Sequence, residues 1–228
     1  MAKRENPPVY RLANVRTLER LAENGADGAL WYETAEREIS AVLKRENGAW
    51  KRETFCGYLA VLSPRCAVRR NVRNALFAME NGRPFSDTIR AVKIAFATFA
   101  ENGQINGQKI GAFYRALVGD KNAITLDVHM ANALNVPQSA FQREAVRERC
   151  KRAVSRLADR LAVSPRSAQA MVWYGQLRAV GRVPETFPIL QEYYNFRAHG
   201  RTFPESGAIA QLTHKARNGR FYVQRLLT

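Results

Sequence analysis

Glu101-Asn102-Gly103-Gln104-Ile105-Asn106-Gly107-Gln108-Lys109-Ile110-Gly111-Ala112-Phe113-Tyr114 is the stretch whose reading decides the rest of the chain. Before it, Ile89, Val92, Phe96 and Phe99 recur at helical spacing, and Ser86-Asp87 offers a cap for that helix. The polar, glycine-containing run 101–107 interrupts the pattern, and a second helix is expected over Gln108 to Val118. The local expectation is a helix, a tight turn and a second helix over about residues 88–118.

Working outward, Gly119-Asp120-Lys121-Asn122 reads as a turn, and Ile124-Thr125-Leu126 as a short extended run leading to Asp127 at the start of a helix. Pro137 opens a long charged helix to Leu161, and Ser164-Pro165 starts another that runs through Ala168 to Val180. Upstream, Ala29 to Lys44 carries Leu30, Trp31, Ala35, Ile39 and Val42 at helical period. Phe55 to Leu62 is an apolar helix, which Ser63-Pro64 ends while starting a helix over Arg65 to Met79. No repeat and no sheet pattern emerges, so the expected class is all-α. The expected organisation is a basic N-terminal arm over 1–26, a helical domain over 27–180 and a basic C-terminal extension over 181–228.

Lys and Arg outnumber Asp and Glu by 36 to 20, a formal charge of +16 that points to a polyanionic partner, DNA above all. An anionic membrane surface would feel the same field. However, no run approaches the roughly 20 apolar residues of a membrane-spanning helix, and no signal-peptide pattern opens the chain. A cytoplasmic, nucleoid-associated protein is expected. Cys56, Cys66 and Cys150 lack metal-ligand spacing, so no zinc or iron-sulfur site and no disulfide framework is expected. Arg65, Arg69 and Arg73, four apart with Arg70 beside them, form either a solvated helix face or a row of phosphate contacts.

Lys109 and, eighteen residues later, Asp127 within Leu126-Asp127-Val128-His129-Met130 resemble the lysine and aspartate motifs of the helix-hairpin-helix DNA glycosylases. The second motif resembles the 8-oxoguanine DNA glycosylase version. Val61-Leu62-Ser63-Pro64 followed by Asn71-Val72 is similar to a helix junction of the endonuclease III type, so the resemblance spans about residues 55–135. It implies a helix-hairpin-helix glycosylase-like fold acting on a flipped damaged or modified base in duplex DNA. It also implies Lys109 and Asp127 as the catalytic pair, with Asn106, Gly107 and Gln108 gripping the backbone through helix-start amides. The family's usual Leu-Pro-Gly-Val-Gly turn is replaced here by Gln104-Ile105-Asn106-Gly107, and the four-cysteine cluster of the endonuclease III relatives is absent, so no cofactor is implied.

The chemistry of these roles can be argued on its own. Unpaired amides and the dipole at a helix start disfavour a further positive charge on Lys109, and a neutral amine can attack a sugar carbon to form a Schiff base, the route of an AP lyase. Asp127 can stabilise the positive charge that grows on the sugar as the base departs. The plainer alternatives are a solvated surface lysine and an N-cap aspartate. His129 and Tyr114 are candidate supports, and Trp31, Tyr32, Phe113, Tyr114 and Trp173 are candidate pocket walls or ordinary core. Three functions follow: a DNA glycosylase with or without lyase chemistry, a phage-type base-hypermodifying transferase on the same fold, or a DNA-binding protein without catalysis.

Overall fold

The computed structural model describes residues 10–203, and among them every regular element is helical. The order is α1 (Val15–Asn24), a 3-10 turn (Ala26–Leu30), α2 (Trp31–Arg45), α3 (Arg52–Val61), α4 (Val68–Asn81), α5 (Arg90–Asn102) and α6 (Gln108–Val118). It continues with α7 (Val128–Ala133), a second 3-10 turn (Gln138–Gln142), α8 (Glu144–Leu161), α9 (Pro165–Ala179) and α10 (Ile189–Ala198).

Two apolar cores form. Helices α2 to α6 and α10 enclose one, with Ile39, Phe55, Leu59, Leu76, Leu117 and Phe196 almost wholly buried. Helices α1, α7, α8 and α9 enclose the other, around Leu18, Met130, Leu134, Val154 and Leu157. Helix α9 is the wall between them. Met171 and Val172 face the second core while Ala170 faces the first, and ten of the fifteen residues of α9 are buried. Its small residues permit close crossing of α1. A Cβ on Gly175 would lie 1.9 Å from the Leu21 carbonyl oxygen, and one on Gly25 would lie 2.1 Å from that of Met171.

Ser164 caps α9 as expected, accepting from the Ser167 amide at 3.1 Å, with Pro165 in the first turn. Ser63-Pro64 behaves otherwise. Its hydroxyl donates back to the Ala60 carbonyl at 2.8 Å, Arg65 takes φ +55°, and α4 starts only at Val68. Ser86-Asp87 precedes a helix that begins at Arg90, and Ile89 is 46% exposed instead of joining the buried stripe of Val92, Phe96 and Phe99.

Two of the expected boundaries are corrected. Residues 15–24 of the expected arm form α1, because its Leu18 and Ala22 find a partner surface on α9 and the second core. Residues 1–9 lie outside the described residues. The expected C-terminal extension begins as an integral part of the first core: Phe187, Ile189, Tyr193, Phe196 and Phe203 are all buried there, and α10 packs on α2 and α4. Its remainder, residues 204–228, lies outside the described residues.

Candidate functional site

Helices α5 and α6 and the turn between them reproduce the expected helix, turn and helix. The turn is set by two glycines at positive φ: Gly103 (φ +72°) ends α5, and Gly107 (φ +95°, ψ 133°) opens α6. No side chain caps α6, so the first amides of that helix, beginning at Gln108 and Lys109, face outward beside exposed Asn106. Lys109 is half-buried at the second position of α6.

Asp127 lies where the two cores meet. It is the N-cap of α7: Oδ1 accepts from the Met130 amide at 2.9 Å, while Oδ2 accepts from the Trp173 indole N–H on α9 at 3.2 Å. Indole is a donor only, so this bond and the cap together fix the carboxylate's orientation. His129 stands edge-on to Trp173, ring centroids 6.2 Å apart. From the first core, Trp31 approaches Trp173 at 6.2 Å, Phe113 at 6.2 Å and Tyr32 at 4.8 Å. Trp31, Phe113, Trp173, His129 and Asp127 are each only half-buried, so an aromatic seam with one carboxylate opens between the cores.

Of the residues that the sequence left open as pocket walls or ordinary core, the fold brings Trp31, Tyr32, Phe113 and Trp173 together. Tyr114 goes elsewhere: it packs toward Phe99, centroids 6.3 Å apart, on the far side of α6. No ion pair joins Lys109, in the first turn of α6, to Asp127, the N-cap of α7, among the described residues.

Other members of the seam were missed. The Tyr32 hydroxyl donates to Gln169 Oε1 at 3.1 Å, which leaves the Thr125 hydroxyl, 3.4 Å away, to donate to Tyr32. Arg166, wholly buried, donates to Glu33 at 3.0 Å, to Glu36, and to the Ala116 carbonyl at 2.8 Å, tying α9 to α2 and α6. The available signal was a polar Arg166 and Gln169 inside a segment otherwise patterned for burial. Phe187 stacks on Trp31 at 5.0 Å and is 3% exposed. Its strap is held by the Glu185 carbonyl, which accepts from Trp31 Nε1 at 3.3 Å and from the Tyr174 hydroxyl at 3.2 Å.

Burial raises the Tyr32 hydroxyl from 10.0 to about 12, and it raises the Cys56 thiol from 9.0 to about 12. Between the unfolded and folded values the folded chain keeps protons that the unfolded chain has lost. Stability from these groups is therefore complete below pH 9 and falls as pH rises toward 12. Denaturant midpoints measured across that range should drop, and Tyr32→Phe should flatten the fall above pH 10. A midpoint that holds constant to pH 12 would contradict the burial of both groups.

The arginine row has a second employer. Arg69 and Arg73 both grip buried Glu192 of α10, each at 2.5 Å, and Arg70 pairs with Asp87 at 2.6 Å. Their open cavity of about 510 Å³ is also lined by Glu185, whose carboxylate accepts from the Arg69 amide at 3.4 Å. Arg65, outside α4, is exposed. Three of the row's four charges are thus paired with carboxylates, two of them in docking α10, while the Arg69 and Arg70 side chains remain 55% and 39% exposed.

Fold and seam together define a two-core helical protein with a carboxylate and an aromatic cluster at the junction of the cores. A family described as "Family of unknown function (DUF7178)" matches residues 18–178, and the chain belongs to it. That match covers most of both cores, leaving out α10, Phe187 and Phe203 of the first and residues 10–17 beside the second, and it includes the seam apart from Phe187. No curated protein and no solved structure matches the chain. Among the described residues no helix is long and apolar enough to cross a membrane, and no group of three or more His, Cys, Asp or Glu residues could hold a metal ion.

Proposed function

We propose that this protein binds DNA and acts on a single base turned out of the helix, as a DNA glycosylase of the helix-hairpin-helix kind. The observation that carries the reading is Asp127: a carboxylate fixed by a backbone amide and an indole, in an aromatic seam between two helical cores. Aromatic faces stack on any base, and a carboxylate held in place stabilises the oxocarbenium charge that develops as the glycosidic bond breaks. The formal charge of +16 supplies the attraction to phosphates. The start of α6 at Gly107 has no side-chain cap, which supports an offer of its amides to one phosphate, and in this reading Lys109, the second residue of α6, supplies the amine that attacks the sugar.

Phe187 fills the slot that a base would take against Trp31, so entry of a base requires the strap around Glu185 to lift. That same filling favours the second reading, a DNA-binding protein that does no chemistry.

The decisive test is borohydride trapping on oligonucleotides carrying an abasic site or one of a panel of altered bases, with wild type beside Lys109→Gln. The expected result is a covalent adduct with wild type and none with the variant, because only the amine forms a reducible Schiff base. Equal trapping by both would remove Lys109 from the chemistry. An absence of both adduct and base release, with binding retained, would leave the non-catalytic reading.

A further inference from the structure

A second cavity, about 490 Å³, lies on the core opposite the α5–α6 turn, between residues 11–14, α1, the end of α7 and α9. Its polar lining comes from Arg11, Asn14, Thr17, Arg20, Asn132, Asn135 and Gln176, and no carboxylate lines it among the described residues. Both arginines are exposed, and neither is in an ion pair among the described residues. This sets it apart from the Arg69–Arg73 cavity, where Glu185 and Glu192 absorb the charge. The Thr17 hydroxyl already donates to Asn14 Oδ1 and the Asn135 amide to the Arg11 carbonyl, each at 3.2 Å, so the charged donors open to an anion with several acceptor oxygens are the two guanidinium groups.

Its position is equally informative. Asn132 lies at the far end of the helix that Asp127 caps, and α7 has six residues, so the groove begins about 8 Å beyond the carboxylate. That is the rise of about two to three base pairs along the duplex axis. Gln176 is three residues from Trp173 on α9, so seam and groove lie along one helix face.

We infer that this groove is a second DNA-backbone site, in which Arg11 and Arg20 contact phosphates of the strand flanking the nucleotide at Asp127. The inference rests on the reading of DNA as partner. The strand is gripped on both sides of the seam, by the start of α6 on one core and by this groove on the other, which would hold it in place while one base is extruded between them.

The test measures affinity of the full chain for duplex DNA as a function of salt, with Arg11→Ser/Arg20→Ser compared with a control, Arg37→Ser/Lys44→Ser, that removes the same charge from the exposed face of α2. The groove variant is expected to flatten the slope of log K against log salt by about 2, one per lost phosphate contact, while the control keeps the wild-type slope. Gln176→Glu, which brings a negative charge into the groove without changing its shape, is expected to weaken binding more than either arginine change alone. Equal slopes for groove variant and control, or an unaltered slope in both, would overturn the groove while leaving DNA binding intact. A wild type with no salt-sensitive DNA binding would overturn the DNA reading and the groove together. A slope change seen with duplex RNA but not with DNA would overturn the assignment to DNA.

Discussion

Asp127→Asn is expected to lower base release by about 10²- to 10³-fold while leaving α7 folded and DNA binding intact, because the change removes charge from a fixed position in the seam and little else. Asparagine is as good an N-cap as aspartate, so the Met130 amide keeps its acceptor. One amide oxygen cannot serve both donors, however, and the Trp173 indole N–H then faces an NH₂ group or loses its partner. Trp173 emission should therefore shift in the variant even without DNA, which reports that the seam itself has been altered. Far-ultraviolet dichroism and the denaturation midpoint should stay near wild type. Unchanged base release in the presence of that spectral shift would sink the role given to Asp127. Binding by both proteins with product from neither would make the carboxylate a structural cap in a silent DNA binder.

The second large effect is on stability. Glu33→Gln/Glu36→Gln is expected to cost about 3–5 kcal/mol, measured by denaturant unfolding, because it leaves the wholly buried Arg166 guanidinium with no opposite charge. Arg166 cannot reach water, and its Nε already lacks a hydrogen-bond partner. Arg166→Met should cost less, since the two carboxylates that it abandons have side chains 39% and 30% exposed, although Glu33 Oε2 is itself buried. The reverse order of the two variants would show that packing around Arg166, not its charge, holds α9 to α2 and α6. This cluster joins the two cores, so the double variant should also disturb the approach of Trp173 to Trp31.

Much of the local architecture was legible in the sequence because it depends on neighbours three or four residues away. The stripes Ile39 and Val42 in α2 and Val92, Phe96 and Phe99 in α5, the cap at Ser164, and the turn at residues 103–107 all follow from helical period and glycine geometry. Capping signals failed where a tertiary contact or an alternative local bond won. Ser63 bonds back to Ala60 and Asp87 pairs with Arg70, so neither sets the helix start that its sequence suggests. The arginine row looked free because its partner, Glu192, is 119 to 123 residues away in the chain.

The sequence by itself determined the all-α class that the described residues show, the excess of positive charge and the spacing of Lys109 and Asp127, since composition and helical period are local quantities. Only the tertiary structure decided that α1 and α10 belong to the cores, that Tyr114 leaves the seam, and that Gln169, Arg166 and Phe187 enter it. It also decided which arginines remain free: Arg69 and Arg73 are bound to Glu192, whereas Arg11 and Arg20 are not in ion pairs among the described residues. The physical reason is common to all of these. A charge or a ring takes its role from whatever lies within a few ångströms of it, and in this fold those neighbours come from parts of the chain that are remote in sequence.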